Sequence, residues 1–325
     1  MSELRFDQVT VRFGTGRKTL TAVDGVELTI PSGQVVGLVG ESGSGKSTLG
    51  RAAVGLTPLS GGNILLDGKP LRRRGRRQPL QMVFQDPYSS LDPRMTIGDT
   101  IAETIPRSEG RRRLERRREV ARLLELVDLD PDRAQTYPAQ LSGGQRQRVA
   151  LARALAARPE VIIADEITSA LDVSIQGTVL NLVRDLQKSL ELSMLFISHN
   201  LASVRYVSDV IAVMYLGRII EYGPAEQILH DPHHPYTRDL LAAAPDPNSA
   251  TLTEDVADPA LQIIADTEPP DPHHPPAGCH YHPRCPIGPL ISPDRTDCLT
   301  TSPTTDHANH AACHYAGQRE AAVTS

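Results

Sequence analysis

Long apolar runs and early cysteines are both missing from this 325-residue chain. No stretch approaches the roughly 18 consecutive apolar residues that a membrane-spanning helix needs. The opening residues, MSELRFDQVT, contain neither the basic nor the apolar region of a secretory signal. These absences predict a cytoplasmic chain without membrane spans. Apolar residues make up 39% and charged residues 22%, so we expect a folded, soluble protein with room for one large domain and a smaller one.

The C-terminal part of the chain has few basic and few apolar residues. Residues 1–230 carry 30 basic and 26 acidic side chains, whereas residues 231–325 carry 4 basic and 13 acidic ones. The latter segment also holds 15 of the 26 prolines, 9 of the 11 histidines and all four cysteines. This contrast predicts a main domain at residues 1–245, a linker at 246–276 and a separate Cys/His-containing extension at 277–325.

Short apolar runs alternate with amphipathic segments through the first 230 residues, as in an α/β domain with a parallel sheet. The runs that predict buried strands are Val35–Val39, Leu80–Phe84, Val161–Ala164 and Met194–Ile197. Apolar spacings of three and four predict helices at Leu141–Ala157 and Val173–Leu190. Alternating patterns at Leu4–Phe13 and Ala22–Ile30 predict an antiparallel layer beside the parallel core.

Two arginine-rich runs lie at Arg72–Arg77 and Arg111–Arg118. We interpret them as a solvated loop and a solvated helix face, with contact to lipid headgroups or nucleic acid as the alternative. The stripe expected beneath the second run is Leu114, Val120, Leu123, Leu124 and Val127. No DNA- or RNA-recognition motif accompanies either run, so no nucleic-acid partner is expected.

A phosphate-binding loop is indicated at residues 40–47, where GESGSGKS fits the pattern G-x-x-x-x-G-K-[ST] between a strand and a helix predicted at Ser47–Leu56. The glycines let the backbone approach phosphates, and the helix N-terminus offers N–H groups. Lys46 adds a positive charge, and the Ser47 hydroxyl is a ligand that Mg²⁺ accepts.

A second apolar strand ends in the adjacent acids Asp165 and Glu166. Asp165 is expected to reach the same Mg²⁺ as Ser47, and Glu166 to polarise a water in line with the γ-phosphate.

A third motif, LSGGQRQR at 141–148, presents a hydroxyl and N–H groups at a helix start. One nucleotide does not need two such surfaces, so we expect this one to serve a nucleotide held by another subunit.

These motifs, in this order, resemble the ABC ATPases, and the resemblance runs from residue 3 to about residue 245. It implies a P-loop nucleotide-binding domain with antiparallel β and helical subdomains, the helical one at about residues 86–157. It also implies that Gln85 contacts the metal site, that His199 touches the γ-phosphate, and that Phe13 stacks on adenine. The residues implied to bind ATP are Phe13, Gly40, Ser42, Gly43, Gly45, Lys46, Ser47, Thr48, Ser142, Gly143, Gly144 and Asp172. Ile167 stands where the family usually has a proline.

Residues 82–96 (MVFQDPYSSLDPRMT) and 234–241 (HPYTRDLL) resemble the oligopeptide, dipeptide and nickel importer ATPases. This resemblance implies ATP and Mg²⁺ as cofactors and an ATPase at the cytoplasmic face of the membrane that powers peptide import. The implied partners are two membrane-spanning permeases, a second and different ATPase subunit, and indirectly an external solute-binding protein. The alternative is a non-transport ABC ATPase that serves a soluble enzyme complex or nucleic acid.

The four cysteines, Cys279, Cys285, Cys298 and Cys313, are not expected to form disulfides in a reducing compartment. Their wide spacing suits one metal site gathered from separate loops or no site at all. Resemblance to the importers' C-terminal extension favours a [4Fe–4S] cluster. The alternative is Zn²⁺, with His280, His282 or His314 as substitute ligands.

Overall fold

The structure is a computed structural model, and it describes residues 2–14, 16, 19–71, 78–86, 90–106, 113–243, 270–305 and 311–317. The arginine run at 72–77 and most of the segment predicted as a linker lie outside these residues.

Ten strands form two sheets in the part of the chain that the structure describes. The strands are β1 Leu4–Phe13, β2 Leu20–Ile30, β3 Val35–Val39, β4 Gly61–Leu66, β5 Lys69–Pro70, β6 Leu80–Val83, β7 Val161–Asp165, β8 Ser193–Ile197, β9 Val210–Tyr215 and β10 Arg218–Pro224. One sheet is antiparallel with the order β2-β1-β4-β5. The other has the order β10-β9-β3-β8-β7-β6, and all of its pairs are parallel except β9 with β10. The predicted parallel core with an antiparallel layer is confirmed.

The helices follow the amphipathic segments. They are α1 Lys46–Val54, α2 Ile97–Ala102, α3 Arg113–Leu126, α4 Gly143–Ala156, α5 Val173–Leu190, α6 Leu201–Val207, α7 Ala225–His230, α8 Pro235–Ala242 and α9 Asp297–Thr300. Short 3₁₀ turns lie at Pro131–Gln135, Pro138–Gln140 and His282–Arg284. None of the described helices is long and apolar enough to cross a membrane.

The parallel sheet is buried on both faces, which explains why its strands are continuous apolar runs. Side chains alternate along a strand, and in β3 Val36 and Leu38 enter the core against the antiparallel sheet and α1. Val35 and Val39 enter the other core, which the helices cover. The sheet is therefore held between two apolar layers, and the loops at its edge have a rigid base.

Between β6 and β7 the described chain is helical, with α2, α3 and α4 packed against one another. In α3, Val120, Leu123 and Leu124 are buried as predicted, but Leu114 is 59% exposed, so its assignment to the stripe is wrong. Leu114 precedes Val120 by six residues, which places it about 240° around the helix from the buried face. The boundaries predicted for a helical subdomain stay a prediction.

The described part of the C-terminal extension packs on the main domain. Tyr281, Cys285 and Ile287 belong to the same buried cluster as β9 and the helices. The Ala312 N–H donates to the Ile220 carbonyl oxygen at 2.7 Å, so the chain also pairs with β10. The extension therefore shares a core with the α/β domain, although its composition is different.

Candidate active site

The phosphate-binding loop joins β3 to α1 and is pressed between two strands. Gly40 has φ 151° and Gly45 has φ 106°. A Cβ added at Gly40 would lie 2.1 Å from the Met214 carbonyl oxygen, and one at Gly45 would lie 2.2 Å from the Ala22 carbonyl oxygen. Only glycine tolerates both the backbone conformation and the close approach, so the motif's fixed glycines have a steric cause.

Lys46 begins α1 with its ammonium folded back over this loop. Its Nζ donates to the carbonyl oxygens of Gly40 at 2.8 Å and Glu41 at 2.7 Å, and lies 3.3 Å from the Ser44 hydroxyl. Burial lowers the pKa of Lys46, and the nearby carboxylates of Glu166 and Asp165 oppose that shift. The lysine is thus a buried cation aimed at the loop's own oxygen atoms.

Asp165, at the end of β7, accepts a hydrogen bond from the Ser47 hydroxyl at 2.8 Å. Burial raises the pKa of Asp165, and this hydrogen bond opposes the rise. Two oxygen atoms therefore meet at the start of α1, beside the Lys46 ammonium. Oxygen is the ligand type that Mg²⁺ prefers, and Mg²⁺ commonly completes its shell with water and substrate phosphate, so the pair fits a Mg²⁺ bound with ATP.

Glu166 and His199 lie beside this pair, at the ends of adjacent strands. Glu166 has φ 48°, and its N–H donates to the Ile197 carbonyl oxygen at 2.9 Å. Its Oε2 lies 3.3 Å from Nδ1 of His199. Glu166 is 17% exposed and His199 is 57% exposed, so both can meet a solvent water. Gln85 follows β6, which pairs in parallel with β7, and its side chain is exposed.

The signature segment begins α4. The Ser142 hydroxyl accepts from the Gln145 N–H at 3.3 Å, and Gln145 Oε1 accepts from the Ser142 N–H at 3.0 Å, which forms a capping box. A Cβ at Gly144 would lie 2.6 Å from Ile175 Cγ2 in α5, so this end of α4 rests on α5. Ser142 and the nearby Asp172 are both exposed. Asp172 caps α5 without a side-chain hydrogen bond to that helix.

The remaining predicted residues occupy separate positions. Phe13 ends β1, pairs with Leu20 and is 43% exposed. Ser42 and Gly43 are exposed at the turn of the loop, and a Cβ at Gly43 would meet no atom within 4 Å. Thr48 lies in the first turn of α1. The open side of the loop is therefore at Ser42 and Gly43.

Sequence reasoning missed two contacts on the phosphate loop. The Glu41 N–H donates to the Tyr236 hydroxyl at 2.8 Å. The Arg284 Nη1 lies 3.1 and 3.4 Å from the two carboxylate oxygen atoms of Glu41. The HPYT segment was visible in the sequence, but nothing in its pattern indicates a target 195 residues earlier.

The metal site predicted for the four cysteines has no support in the structure. Within the ranges that the structure describes, no group of three or more His, Cys, Asp or Glu side chains could hold a metal ion. Burial raises the pKa of all four thiols, that of Cys279 to about 11, and neighbouring cysteines raise those of Cys279, Cys285 and Cys313 further. Among the described residues the four cysteines therefore form no recognised ligand group, and the predicted cluster or Zn²⁺ stays a prediction.

Two family models match the chain. One, described as ABC transporter, matches residues 23–169. The other, described as Oligopeptide/dipeptide transporter, C-terminal region, matches residues 220–288. The second match extends across Tyr236 and Arg284 into the Cys-containing extension.

Relatives match over most of the chain. "Di/tripeptide transport ATP-binding protein DppF" of Pseudomonas aeruginosa is 46% identical over 83% of this chain and 84% of its own length. "Probable peptide ABC transporter ATP-binding protein y4tS" of Sinorhizobium fredii is 43% identical over 96% of this chain and 88% of its own.

Two solved structures share the fold. The dimeric post-hydrolysis state of the ATP-binding cassette MJ0796 bound to ADP and Pi aligns with a TM-score of 0.60 and 26% identity, over 68% of this chain and 98% of that one. The structure of cbiO1 from Clostridium perfringens, part of the transporter complex cbiONQ, aligns with a TM-score of 0.60 and 27% identity, over 69% and 89%.

Proposed function

Because the chain belongs to the ATP-binding subunits of peptide ABC transporters, we propose that it hydrolyses ATP to power peptide import through membrane-spanning permeases. The observation that carries this proposal is the convergence of Lys46, Ser47, Asp165, Glu166 and His199 at one edge of the parallel sheet. The relatives named as peptide transport proteins do not favour the alternative of a non-transport ATPase.

Hydrolysis of ATP needs positioning and charge neutralisation. Lys46 already donates to loop carbonyl oxygens, and we assign it to the β- and γ-phosphates, which are stronger acceptors. Ser47, Asp165 and Gln85 would hold Mg²⁺, which supplies charge neutralisation at the phosphates when bound. The glycine N–H groups and Thr48 at the start of α1 would contact phosphate oxygen atoms, and Phe13 would stack on adenine.

Glu166 is assigned as the general base. Its carboxylate is partly exposed and lies near Asp165, so it would accept a proton from a water that attacks the γ-phosphate. His199, 3.3 Å away, would orient that carboxylate and contact the γ-phosphate. Gln85 follows the neighbouring strand β6, where its side chain would contact the same Mg²⁺ as Ser47 and Asp165.

The signature residues Ser142, Gly143 and Gly144, with Asp172, are assigned to the nucleotide of a partner ATPase. The exposed Ser142 hydroxyl already accepts from Gln145, so its proton is available to a phosphate oxygen. The solved cassette with ADP and Pi is dimeric, which supports a two-subunit arrangement. We favour a different ATPase subunit as the partner, as implied by the importer resemblance.

Permease docking is assigned to a cavity of about 240 Å³ lined by both the sheet and the helical segment. Its lining includes Leu56, Phe84 and Arg153. Leu56 is 61% exposed, and Phe84 directly precedes Gln85. A permease helix seated here would press on the strand end that carries Gln85. The chain would then be a peripheral protein at the cytoplasmic face of the membrane, indirectly served by an external solute-binding protein.

The test of the transport function is uptake of a labelled dipeptide by cells whose only copy of the chain carries Glu166→Gln. We expect uptake to be lost while the assembled complex remains intact by affinity purification. Uptake at the wild-type rate would overturn the proposal.

The permease-docking assignment is tested by a variant and a matched control variant. Leu56→Lys should reduce the amount of permease that purifies with the chain. Leu290→Lys is the control, because Leu290 is also 61% exposed but lies in the extension. Equal recovery of permease with both variants would contradict the assignment.

The iron–sulfur cluster predicted for the four cysteines, with Zn²⁺ as the alternative, is not supported by a ligand group among the described residues and stays a prediction. Metal analysis of anaerobically purified protein tests it: iron with inorganic sulfide would support the cluster, one Zn²⁺ per chain would support the alternative, and no metal would refute both.

A further inference from the structure

Glu41, the second residue of the phosphate loop, is held from outside the loop at both its backbone and its side chain. Its N–H donates to the Tyr236 hydroxyl, and its carboxylate pairs with Arg284. Its carbonyl oxygen accepts from Lys46 Nζ at 2.7 Å. A shift of the Glu41 peptide would therefore move an acceptor of the lysine that we assign to the phosphates.

Tyr236 is itself fixed by a buried turn. The His234 ring caps α8 by accepting from the Tyr236 N–H at 3.1 Å, and the Glu221 carboxylate accepts from the N–H groups of His233 at 2.6 Å and His234 at 3.2 Å. Tyr236 is 2% exposed. Its hydroxyl is thus a rigid acceptor and not a mobile surface group.

Arg284 ends the 3₁₀ turn that follows Tyr281. Tyr281 donates a hydrogen bond to Asp239 in α8 and packs edge-on against Tyr215 and Tyr236, with ring centroids 5.3 Å apart in both pairs. The aromatic cluster therefore fastens the turn to the same helix that carries Tyr236. The Arg284 side chain is 21% exposed, so its pairing with Glu41 is partly shielded from water.

We propose that Tyr236 of the main domain and Arg284 of the C-terminal extension are positioning residues for the phosphate loop, and that the extension sets the affinity for ATP through Arg284. This inference rests on the proposed ATPase function. Tyr236 fixes the Glu41 peptide, and Arg284 neutralises the Glu41 carboxylate and holds it away from the phosphates. Without Arg284, an unpaired carboxylate would remain beside a highly charged anion and would weaken ATP binding.

The described end of the segment predicted as a linker adjoins the same loop. Residues 270–272 line a cavity of about 280 Å³ together with residues 41–44 and Tyr215. The linker end and Arg284 of the extension therefore both adjoin the loop, at two places that are separate in sequence. Such an arrangement suits a part of the chain that acts on nucleotide affinity and not on the chemical step.

The test measures the Kd for ATP and the kcat and KM for hydrolysis in the full-length chain assembled with its partners. Arg284→Met should weaken ATP binding by about three- to tenfold, with kcat changed less than twofold. Adding Glu41→Gln to that variant should restore much of the affinity, because the unpaired charge is then gone. A merely structural role for Arg284 would not give this recovery.

Arg218→Met is the matched control. Arg218 in β10 pairs with Asp24 of the main domain at 2.7 Å and donates to the Ser302 hydroxyl of the extension at 3.0 Å. It therefore also joins the main domain to the extension, but it does not contact Glu41. Its removal should leave the Kd for ATP within twofold of wild type. An equal loss of affinity in Arg218→Met and Arg284→Met would overturn the inference, because general loosening of the extension would then explain both.

Tyr236→Phe keeps the ring and removes the acceptor, so it should raise the Kd for ATP about threefold without lowering the melting temperature of the unliganded chain by more than a few degrees. It also carries the test if Arg284→Met does not fold. Unchanged ATP affinity in Tyr236→Phe and in Arg284→Met would refute the inference. A wild-type complex that binds no ATP would instead refute the proposed function.

Discussion

The ATP site and the C-terminal extension meet at Glu41, yet they are encoded in opposite ways. The ATP site depends on residues adjacent in sequence, such as the glycines and Lys46 of one eight-residue loop. The extension depends on single side chains brought together from distant places, such as Arg284 with Glu41, 243 residues apart. Local encoding makes the first site recognisable as a motif. Distant encoding leaves the second without a pattern in the sequence.

The largest effect is expected at Glu166, which we propose as the general base. Glu166→Gln keeps the side chain's size but removes its ability to accept a proton, so hydrolysis by the assembled complex should fall about 10²–10⁴-fold. ATP binding should persist, and an ATP-stabilised dimer should accumulate. Steady-state hydrolysis and size-exclusion chromatography with ATP measure both results. Hydrolysis at the wild-type rate would remove Glu166 from the mechanism.

The α/β core and the phosphate loop could be predicted because their sequence patterns are local. A strand buried on both faces must be continuously apolar. Gly40 and Gly45 belong to a contiguous motif, although the Cβ collisions that require glycine there involve Met214 and Ala22 on distant strands. The sequence also predicted Asp165 at a strand end, within reach of the same Mg²⁺ as Ser47. The structure joins the two side chains by a hydrogen bond across 118 residues, because parallel strands bring their carboxyl ends to one edge.

The extension could not be predicted in this way. Its cysteines suggested a metal site, but the structure buries only Cys285 and Cys298, and no ligand group is found among the described residues. Its docking depends on Tyr281 and Arg284, single residues in a segment without helical or strand periodicity. Composition separated the extension from the core, whereas the packing joins the two.

Ser142→Arg tests whether the local motifs act within one chain or between chains. A large cation at the start of α4 should block the partner's nucleotide and reduce hydrolysis by the assembled complex about 10²–10³-fold. Binding of ATP to this chain's own phosphate loop should remain within twofold of wild type. Hydrolysis by the complex and ATP binding to the isolated full-length chain are the two measurements. A loss of ATP affinity in the isolated chain would instead show that the signature segment contacts the nucleotide bound to the same chain.

Lys46→Ala tests whether this chain's own phosphate loop binds ATP. The substitution removes a buried cation that we assign to the phosphates, so the Kd for ATP of the full-length chain should rise about 10- to 100-fold. Isothermal titration with ATP and Mg²⁺ gives the value directly. Lys69→Ala is the control, because Lys69 is an exposed lysine in β5. Unchanged affinity in Lys46→Ala would show that the loop does not hold the nucleotide as assigned.

The smallest effect concerns His234, in the main-domain turn that holds Tyr236, and it is measurable by pH. Burial and, to a smaller extent, the charge of Arg238 lower the pKa of His234 to about 3. The residue is 1% exposed, and its Nδ1 accepts from the Tyr236 N–H. An imidazolium cannot accept that hydrogen bond. The folded pKa is below the unfolded one, so the stabilisation is complete above about pH 6.5 and is lost as the pH falls toward 3. At pH 5 the loss in free energy of unfolding should be about 2 kcal/mol.

His234→Asn keeps an oxygen acceptor at the helix start but does not titrate, so its free energy of unfolding should vary less between pH 7 and pH 5. Urea denaturation of both proteins at the two pH values gives the comparison, and the contributions of Glu221 and other carboxyl groups cancel because both proteins contain them. Equal pH dependence in the two proteins would mean that the turn holding Tyr236 tolerates a protonated ring, and the rigid acceptor assigned to the phosphate loop would lose its basis.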